Sequence, residues 1–230
     1  MLMRGVIFDL DGVLIDSAEA HLRSWRVLAE RHGRTITDEQ FAATFGRQNR
    51  AILPILWGRE VDETEVARLG EEKEACYRDL IRGRIRSIAM PGAEALIRDC
   101  RAAGLAMAIG SSTPPENVAL ALEELGVAAH FSAVVTSKDV TRGKPAPDVF
   151  LLAAERLGLP PGQCVVIEDA PAGIDAALAA GCAAVGLTSQ HAREKLGHAD
   201  LVVDRLTELA SGRLMSLRAK AAVEDHRPSR

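Results

Sequence analysis

Two aspartates separated by one residue stand in the segment Phe8-Asp9-Leu10-Asp11-Gly12-Val13. They follow the apolar run Val6-Ile7-Phe8, which reads as a strand, and side chains two apart on a strand point to the same side. Such a strand has no folding need for two acids at its tip. A second acidic pair, Glu168-Asp169, follows Val165-Val166-Ile167 and precedes Ala170-Pro171-Ala172-Gly173 and a helix. If both strands end at one edge of a sheet, four carboxylates converge there. Two like charges about 4 Å apart repel by roughly 4 kcal/mol at an effective dielectric of about 20. Such a cluster must hold protons or bind a cation, and hard oxygen donors in a partly open site suit Mg²⁺, which keeps waters and shares a substrate phosphate. An EF-hand is excluded, because it needs a longer series of oxygen ligands before its glycine and lies between helices.

Two further segments complement the acids. Gly110-Ser111-Ser112-Thr113 brings hydroxyls and free backbone amides to the start of a helix, which is the composition of an anion site. Lys144 sits in Arg142-Gly143-Lys144-Pro145-Ala146-Pro147-Asp148, where two prolines hold a loop before a helix. Acids for a cation, a hydroxyl and amides for an anion, and a lysine to offset charge together suit phosphoryl transfer. In that chemistry positioning and charge stabilisation do most of the catalysis.

The elements that must position these residues are legible as well. Six short runs, Val6-Ile7-Phe8, Ala106-Met107-Ala108-Ile109, Ala133-Val134-Val135, Val165-Val166-Ile167, Ala183-Ala184-Val185 and Leu201-Val202-Val203, are continuously apolar, as strands covered on both faces would be. Segments of helical length and periodicity separate them, with Leu96, Ile97 and Cys100 marking one and Val149, Leu152, Ala153 and Leu157 another. The fold class is therefore α/β, a doubly wound parallel sheet, with ligands expected at its carboxyl edge. Thr113-Pro114-Pro115-Glu116 predicts a helix start with Thr113 as N-cap and Glu116 completing a capping box. Gly104, Gly126, Gly158 and Gly181 fall just past periodic stretches, where left-handed helix ends are expected.

From residue 17 to residue 83 no strand is predicted. Leu22, Trp25, Leu28 and Ala29 mark one helical stripe there, and Ile52, Leu53, Ile55 and Leu56 another. This region reads as a helical cap domain inserted after the first strand, with residues 1–16 and 84–212 as the α/β core domain. Trp57 and Tyr77 are expected to serve its packing. Residues 213–230, which carry Arg213, Arg218, Lys220, Arg227 and Arg230, read as a solvated C-terminal tail.

Composition removes other classes. The 230 residues are 47% hydrophobic and 26% charged, and 28 basic against 32 acidic residues leave a formal charge of −4. That balance gives no electrostatic reason to expect nucleic acid. No run approaches the roughly 20 apolar residues that span a bilayer, and the start lacks the basic and long apolar regions of a signal peptide. Cys76, Cys100, Cys164 and Cys182 are far apart with no C-x-x-C pair, as buried thiols of a reducing compartment would be. The expectation is a cytoplasmic protein, with nothing that demands more than a monomer.

Taken in order, Asp9-x-Asp11-Gly12-Val13, Ser111, Lys144 and Glu168-Asp169 resemble the four motifs of the haloacid dehalogenase superfamily of phosphotransferases, over about residues 4–210. The insert resembles the helical cap of that superfamily's first structural class. Asp16-Ser17-Ala18-Glu19-Ala20-His21 and the Lys144 loop are similar to the β-phosphoglucomutase-like subgroup. The resemblance implies that Asp9 is the nucleophile and a Mg²⁺ ligand, and that Asp11 is the general acid/base, its backbone carbonyl also on the metal. It implies that Ser111 binds a phosphoryl oxygen beside the amides of Ser112 and Leu10, and that Lys144 balances charge between phosphate and Asp9. Asp169 would be a direct metal ligand and Glu168 a ligand or its partner.

Asp11 sets the chain apart from the superfamily's dehalogenases, which lack that second aspartate. Phosphonate hydrolysis would call for a cap lysine as Schiff-base former, with only Lys73 at hand. A receiver-type signalling domain would lack an insert of this size, and a silent regulator would most simply have lost an acid. The acceptor stays open between water and a sugar phosphate. His21, Lys73 and Trp25 match types shared by mutases and phosphatases, and Arg47 is a candidate for a second phosphate or another substrate anion. Pro114-Pro115 stands where the mutases carry Lys-Asn, which favours a phosphatase. The expected activity is Mg²⁺-dependent hydrolysis of a small-molecule phosphomonoester, with a β-phosphoglucomutase-type mutase as the alternative. The cap is expected to close over substrate, with hinges at Asp16-Ser17 and residues 83–88.

Overall fold

The structure, a computed structural model, describes residues 2–217, so Arg218, Lys220, Arg227 and Arg230 of the expected tail lie outside the described residues. Strands β1 (Gly5–Phe8), β2 (Ala106–Gly110), β3 (Ala133–Val135), β4 (Cys164–Glu168), β5 (Ala183–Leu187) and β6 (Leu201–Val203) coincide with the six apolar runs. They form one sheet in the order β3-β2-β1-β4-β5-β6, every neighbouring pair parallel. The continuous apolar character has a direct cause. Val6, Phe8, Val165 and Ile167 face one hydrophobic cluster, while Ile7 and Val166 between them face a second on the opposite side. Helices α5 (Ala93–Ala102) and α6 (Pro115–Leu125) supply Leu96, Ile97, Val118 and Leu122 to the first cluster, and α7 (Asp148–Arg156) and α8 (Pro171–Ala179) supply Val149, Phe150, Ile174 and Ala177 to the second.

β1 lies between β2 and β4, so the winding direction reverses across β1 and β4. A crevice forms outside the carboxyl ends of parallel strands at such a reversal.

Between β1 and β2 the chain first runs through α1 (Ala18–Arg31), α2 (Asp38–Ala42), α3 (Asn49–Trp57) and α4 (Glu63–Ile81). Trp25, Leu28, Ile52, Leu53, Leu56, Trp57 and Leu69 form a third cluster among these helices, separate from the two that flank the sheet. Ile55, assigned above to the α3 stripe, is instead 47% exposed, because it falls on the far side of the helix from Leu53 and Leu56. The segments that join this helical layer to the sheet lie side by side. Asp16 N–H donates to the Ile88 carbonyl at 2.7 Å, Met90 N–H donates to the Leu14 carbonyl at 2.9 Å, and Ile15 and Ala89 form an antiparallel bridge.

Three local expectations meet different outcomes. Gly104, Gly126, Gly158 and Gly181 all adopt positive φ at helix ends. Thr113 does not cap α6. Pro114 occupies the N-cap with no side-chain bond, Thr113 donates its hydroxyl to Asp11, and Glu116 pairs with Lys138 at 2.8 Å. A charge-assisted bond to a buried carboxylate is about twice as strong as a neutral one, so the hydroxyl turns to Asp11. The segment past residue 212 begins as packed structure. α9 (Ser211–Ser216) buries Leu214, and Met3 N–H donates to the Met215 carbonyl. All four cysteines are free, three of them buried, and no helix among the described residues is long and apolar enough to cross a membrane.

Candidate active site

Asp9 is the first residue past β1, and Glu168 ends β4 beside it. The register pairs Phe8 with Ile167, and Asp9 N–H continues the ladder to the Ile167 carbonyl at 3.0 Å. Carboxylate oxygens of Asp9, Glu168 and Asp169 lie within 4.8 Å of one another, all three residues buried. Lys144, in the loop before α7, reaches across with Nζ 2.9 Å from Asp9 Oδ1 and 2.6 Å from Glu168 Oε1. The other Glu168 oxygen, Oε2, accepts the backbone N–H groups of Asp169 and Ala170.

Two glycines make these positions available. A Cβ on Gly12, which sits at φ +76°, would fall 1.9 Å from Asp169 Oδ2, and one on Gly173 would fall 1.8 Å from Glu168 Oε1. Each carboxylate occupies the space a side chain would fill.

One ammonium among three buried carboxylates leaves the group short of positive charge. Burial pushes the Asp9 carboxyl up to about 7 against the pull of Lys144, and repulsion from Glu168 and Asp11 adds to the rise. Asp169 is raised well above the carboxylate range by burial and by Glu168 and Asp9. Burial works against the Lys144 ammonium, yet Asp9 and Glu168 hold its pKa above the ordinary lysine value. Crowded oxygen donors whose ionised forms repel one another are what a divalent cation relieves, and the all-oxygen set fits Mg²⁺.

The Asp11 carboxylate is turned away from that cluster, so three carboxylates converge rather than four. The chain leaves the strand at Asp9 and folds into a tight turn whose Leu10 carbonyl accepts from Val13, Leu14 and Ile15, which ends the strand alternation. Asp11 Oδ1 accepts the Ser17 hydroxyl and lies 3.2 Å from His21 Nε2, and Oδ2 accepts the Thr113 hydroxyl. Burial raises the Asp11 carboxyl, but the His21 ring and the two hydroxyls more than reverse this and hold it well below its usual value. Lys73 Nζ lies 2.7 Å from His21 Nδ1. A lysine ammonium can only donate, so Nδ1 accepts and Nε2–H is the side that faces Asp11. Tyr77 stacks on the His21 ring at 3.9 Å between centroids, with its hydroxyl 3.5 Å from Asp11 Oδ1, so the expected packing residue is also part of the site.

Ser111 follows β2, its N–H held by the Val135 carbonyl and its Oγ accepting from Thr113 N–H. A cleft opens over Asp9, Asp11, Ser111 and Ser112 and is roofed by His21, Arg47 and Lys73. Leu10 contributes only backbone here, since its side chain is fully buried in the core. The residues singled out in the sequence thus meet at one sheet edge or on the helices facing it, with Arg47 in the turn between α2 and α3.

Ser17, Asn49, Glu74 and Asn117 also belong to this network, as does Thr113, expected as an anion-site hydroxyl and helix cap rather than as a partner of Asp11. One sequence signal for the network was present, because Leu69, Lys73 and Tyr77 repeat every four residues and put the lysine on the buried stripe of α4. Asn49 Nδ2 donates to Glu74 Oε1 at 2.8 Å, and Asn117 Nδ2 donates to Glu74 Oε2 at 2.6 Å.

Residues 3–181 match the haloacid dehalogenase-like hydrolase family. The chain is 38% identical to hexitol phosphatase A of Escherichia coli (strain K12), covering 91% of this chain and 94% of that protein. It is 34% identical to β-phosphoglucomutase of Bacillus subtilis (strain 168), with 90% and 92% covered. The solved structure of β-phosphoglucomutase from Clostridium difficile superposes with a TM-score of 0.85 at 31% identity, over 93% of this chain and 96% of that one.

Proposed function

Since the chain belongs to the haloacid dehalogenase-like hydrolases and is a phosphoric monoester hydrolase by that kinship, we propose that it hydrolyses a small phosphorylated metabolite, a sugar or sugar-alcohol phosphate, through a phosphoryl-Asp9 intermediate. Helices α1–α4 act in this reading as a cap over a core of residues 1–16 and 84–212. Asp9, Asp169 and Glu168, with the Asp11 backbone carbonyl, would hold Mg²⁺, which when bound offsets phosphate charge.

Asp9 attacks phosphorus in line with the ester oxygen, the phosphorus–oxygen bond to the alcohol breaks, and Asp11 delivers a proton to the departing oxygen. Asp11 rests ionised among its donors. The incoming phosphate places negative charge near it and raises its proton affinity, so the proton is held there only when substrate is present. In the second half Asp11 takes a proton from water as that water attacks the phosphoryl-Asp9 and frees the Asp9 carboxylate. Ser111, with the amides of Leu10 and Ser112, orients the phosphoryl oxygens, and Lys144 keeps Asp9 from repelling them.

The observation that carries hydrolysis over mutation is the fate of the roof cations. A mutase must grip a second phosphate. Lys73 is committed to His21 and Glu74, which leaves Arg47 as the one lysine or arginine lining the cleft, among the described residues, without a carboxylate partner. Pro114-Pro115 supplies no further charge beside it.

The test is a Mg²⁺-dependent assay over hexose and hexitol phosphates, with β-glucose 1-phosphate plus its bisphosphate activator run separately. Free phosphate without isomerised sugar is expected, with Asp9→Asn reducing turnover at least about a thousandfold. Glucose 6-phosphate formed without matching phosphate release would establish the mutase instead.

A further inference from the structure

Glu74 is a buried carboxylate, 3% exposed, that the hydrolysis described above does not use. Burying a carboxylate is costly unless its oxygens are filled, and here donors come from two different layers of the molecule. Oε1 accepts from its neighbour Lys73 at 3.0 Å and from Asn49 on α3 at 2.8 Å. Oε2 accepts from Asn117, in the first turn of α6, at 2.6 Å.

Asn117 is itself 1% exposed, and its other end accepts Arg78 Nη1 at 3.1 Å. Glu74 and Arg78 are four apart on α4 and therefore share a face. Together they hold both ends of one carboxamide and fix its orientation, because a flipped amide would set donor against donor. The helix that carries Asn117 begins directly after the Ser111–Thr113 stretch.

These bonds join into one line. It starts at Asp11 beside the sheet, passes to His21 on α1, to Lys73 and Glu74 on α4, and returns to the sheet layer at Asn117 on α6. Both ends rest on the layer that holds the acids, and the middle rests on the helices over it. Any lifting of α1 and α4 breaks both end contacts together.

We propose that Glu74 is a positioning residue for proton transfer and that Asn117 is its anchor, so that seating α4 on α6 and aligning Lys73, His21 and Asp11 are a single event. With Asn117 in place, Oε2 is occupied and Glu74 holds Lys73 against His21 Nδ1, which keeps His21 Nε2–H on Asp11. Without it, the buried carboxylate is left one donor short and draws the Lys73 ammonium toward itself, away from His21. The proposal rests on Asp11 being the acid/base group.

The experiment compares two esters, p-nitrophenyl phosphate and sorbitol 6-phosphate. Nitrophenolate leaves as a stable anion, whereas the sorbitol oxygen must be protonated as it leaves. A misaligned proton carrier therefore slows the second ester selectively, and a general loss of folding or binding slows both alike. Glu74→Gln and Asn117→Ala are each expected to lower kcat/KM for sorbitol 6-phosphate at least about tenfold more than for p-nitrophenyl phosphate. The double variant should be no worse than the poorer single one, because both act through the same contact.

Equal losses on the two esters, no loss, or losses that multiply in the double variant would overturn the proposal. If the unaltered protein cleaves neither ester, the contact is judged apart from the phosphatase reading, whose own test spans the hexose and hexitol phosphates. Amide hydrogen exchange at residues 14–17 and 83–90 must then speed up in Asn117→Ala, and unchanged exchange would overturn the proposal just as well.

Discussion

Gly12 governs how closely the β1 and β4 loops approach, and its substitution isolates that geometry. At φ +76° an alanine would be strained, and its Cβ would meet Asp169 Oδ2 at 1.9 Å. Gly12→Ala is expected to cost about 1–2 kcal/mol of stability for the left-handed backbone. It should also weaken Mg²⁺ binding at least about tenfold as Asp169 is displaced, which a thermal melt and a calorimetric Mg²⁺ titration would measure. Unchanged Mg²⁺ affinity would show that Asp169 is not held by this contact. Asp9, Asp11, Glu168 and Asp169 were legible because acids at strand tips have no packing reason to be there, and Lys144 because two prolines hold its loop before a helix. The roles of Thr113, Asn117 and Glu74 were not legible, since a single hydroxyl, amide or surface-type acid is common. Their meaning arises from pairings 102 and 43 positions apart, between Thr113 and Asp11 and between Asn117 and Glu74. Ser17 lies only six residues from Asp11, yet its contact depends on the turn that follows β1, which the alternation rule does not describe.

Among the elements, the strands were the easier reading, because burial on both faces leaves continuous apolar runs. The helices of residues 17–83 were visible as a layer but not in detail. Periodicity alone did not place Ile55 on the exposed side of α3, and capping chemistry alone did not foresee that Asp11 would claim the Thr113 hydroxyl. If this layer moves as a cap about its two connections, tying it down should halt the enzyme. Arg50 on α3 donates to the Thr141 carbonyl at 2.8 Å, an exposed contact between the helical layer and the Lys144 loop. Arg50→Cys and Thr141→Cys, in a Cys76→Ser background and joined by a bismaleimide with a reducible spacer, should lose at least about 90% of multiple turnover. Reduction of the spacer should restore it. Turnover that persists through cross-linking would show that substrate exchange needs no movement of α3.

The charge imbalance at the sheet edge extends to the stability of the whole molecule. Asp9 retains its proton in the folded protein to about 7, while the unfolded chain releases it near the ordinary value of 3.8. Its stabilising contribution is therefore full below that lower value and is lost as pH rises toward 7. Asp11 and Glu74 act in the opposite sense. Their pKa values are depressed on folding, so their contributions are present above the unfolded carboxylate range and are lost only in acid. Without divalent ions the protein should melt at a lower temperature at pH 8 than at pH 5.5, and Mg²⁺ should raise the melting temperature more at pH 8, where the acids are free to bind it. An equal gain from Mg²⁺ at both pH values would contradict a metal site at these carboxylates. The paired backbone at Leu14–Met90 and Asp16–Ile88 bears on this division of labour over a longer timescale. A chain that departs and returns through adjacent, mutually bonded segments leaves the sheet order untouched by anything strung between them. Changes between them would leave the sheet-edge carboxylates and Lys144 where they are, while ester preference and the His21, Lys73 and Glu74 contacts that orient Asp11 would vary together on one stretch of the gene.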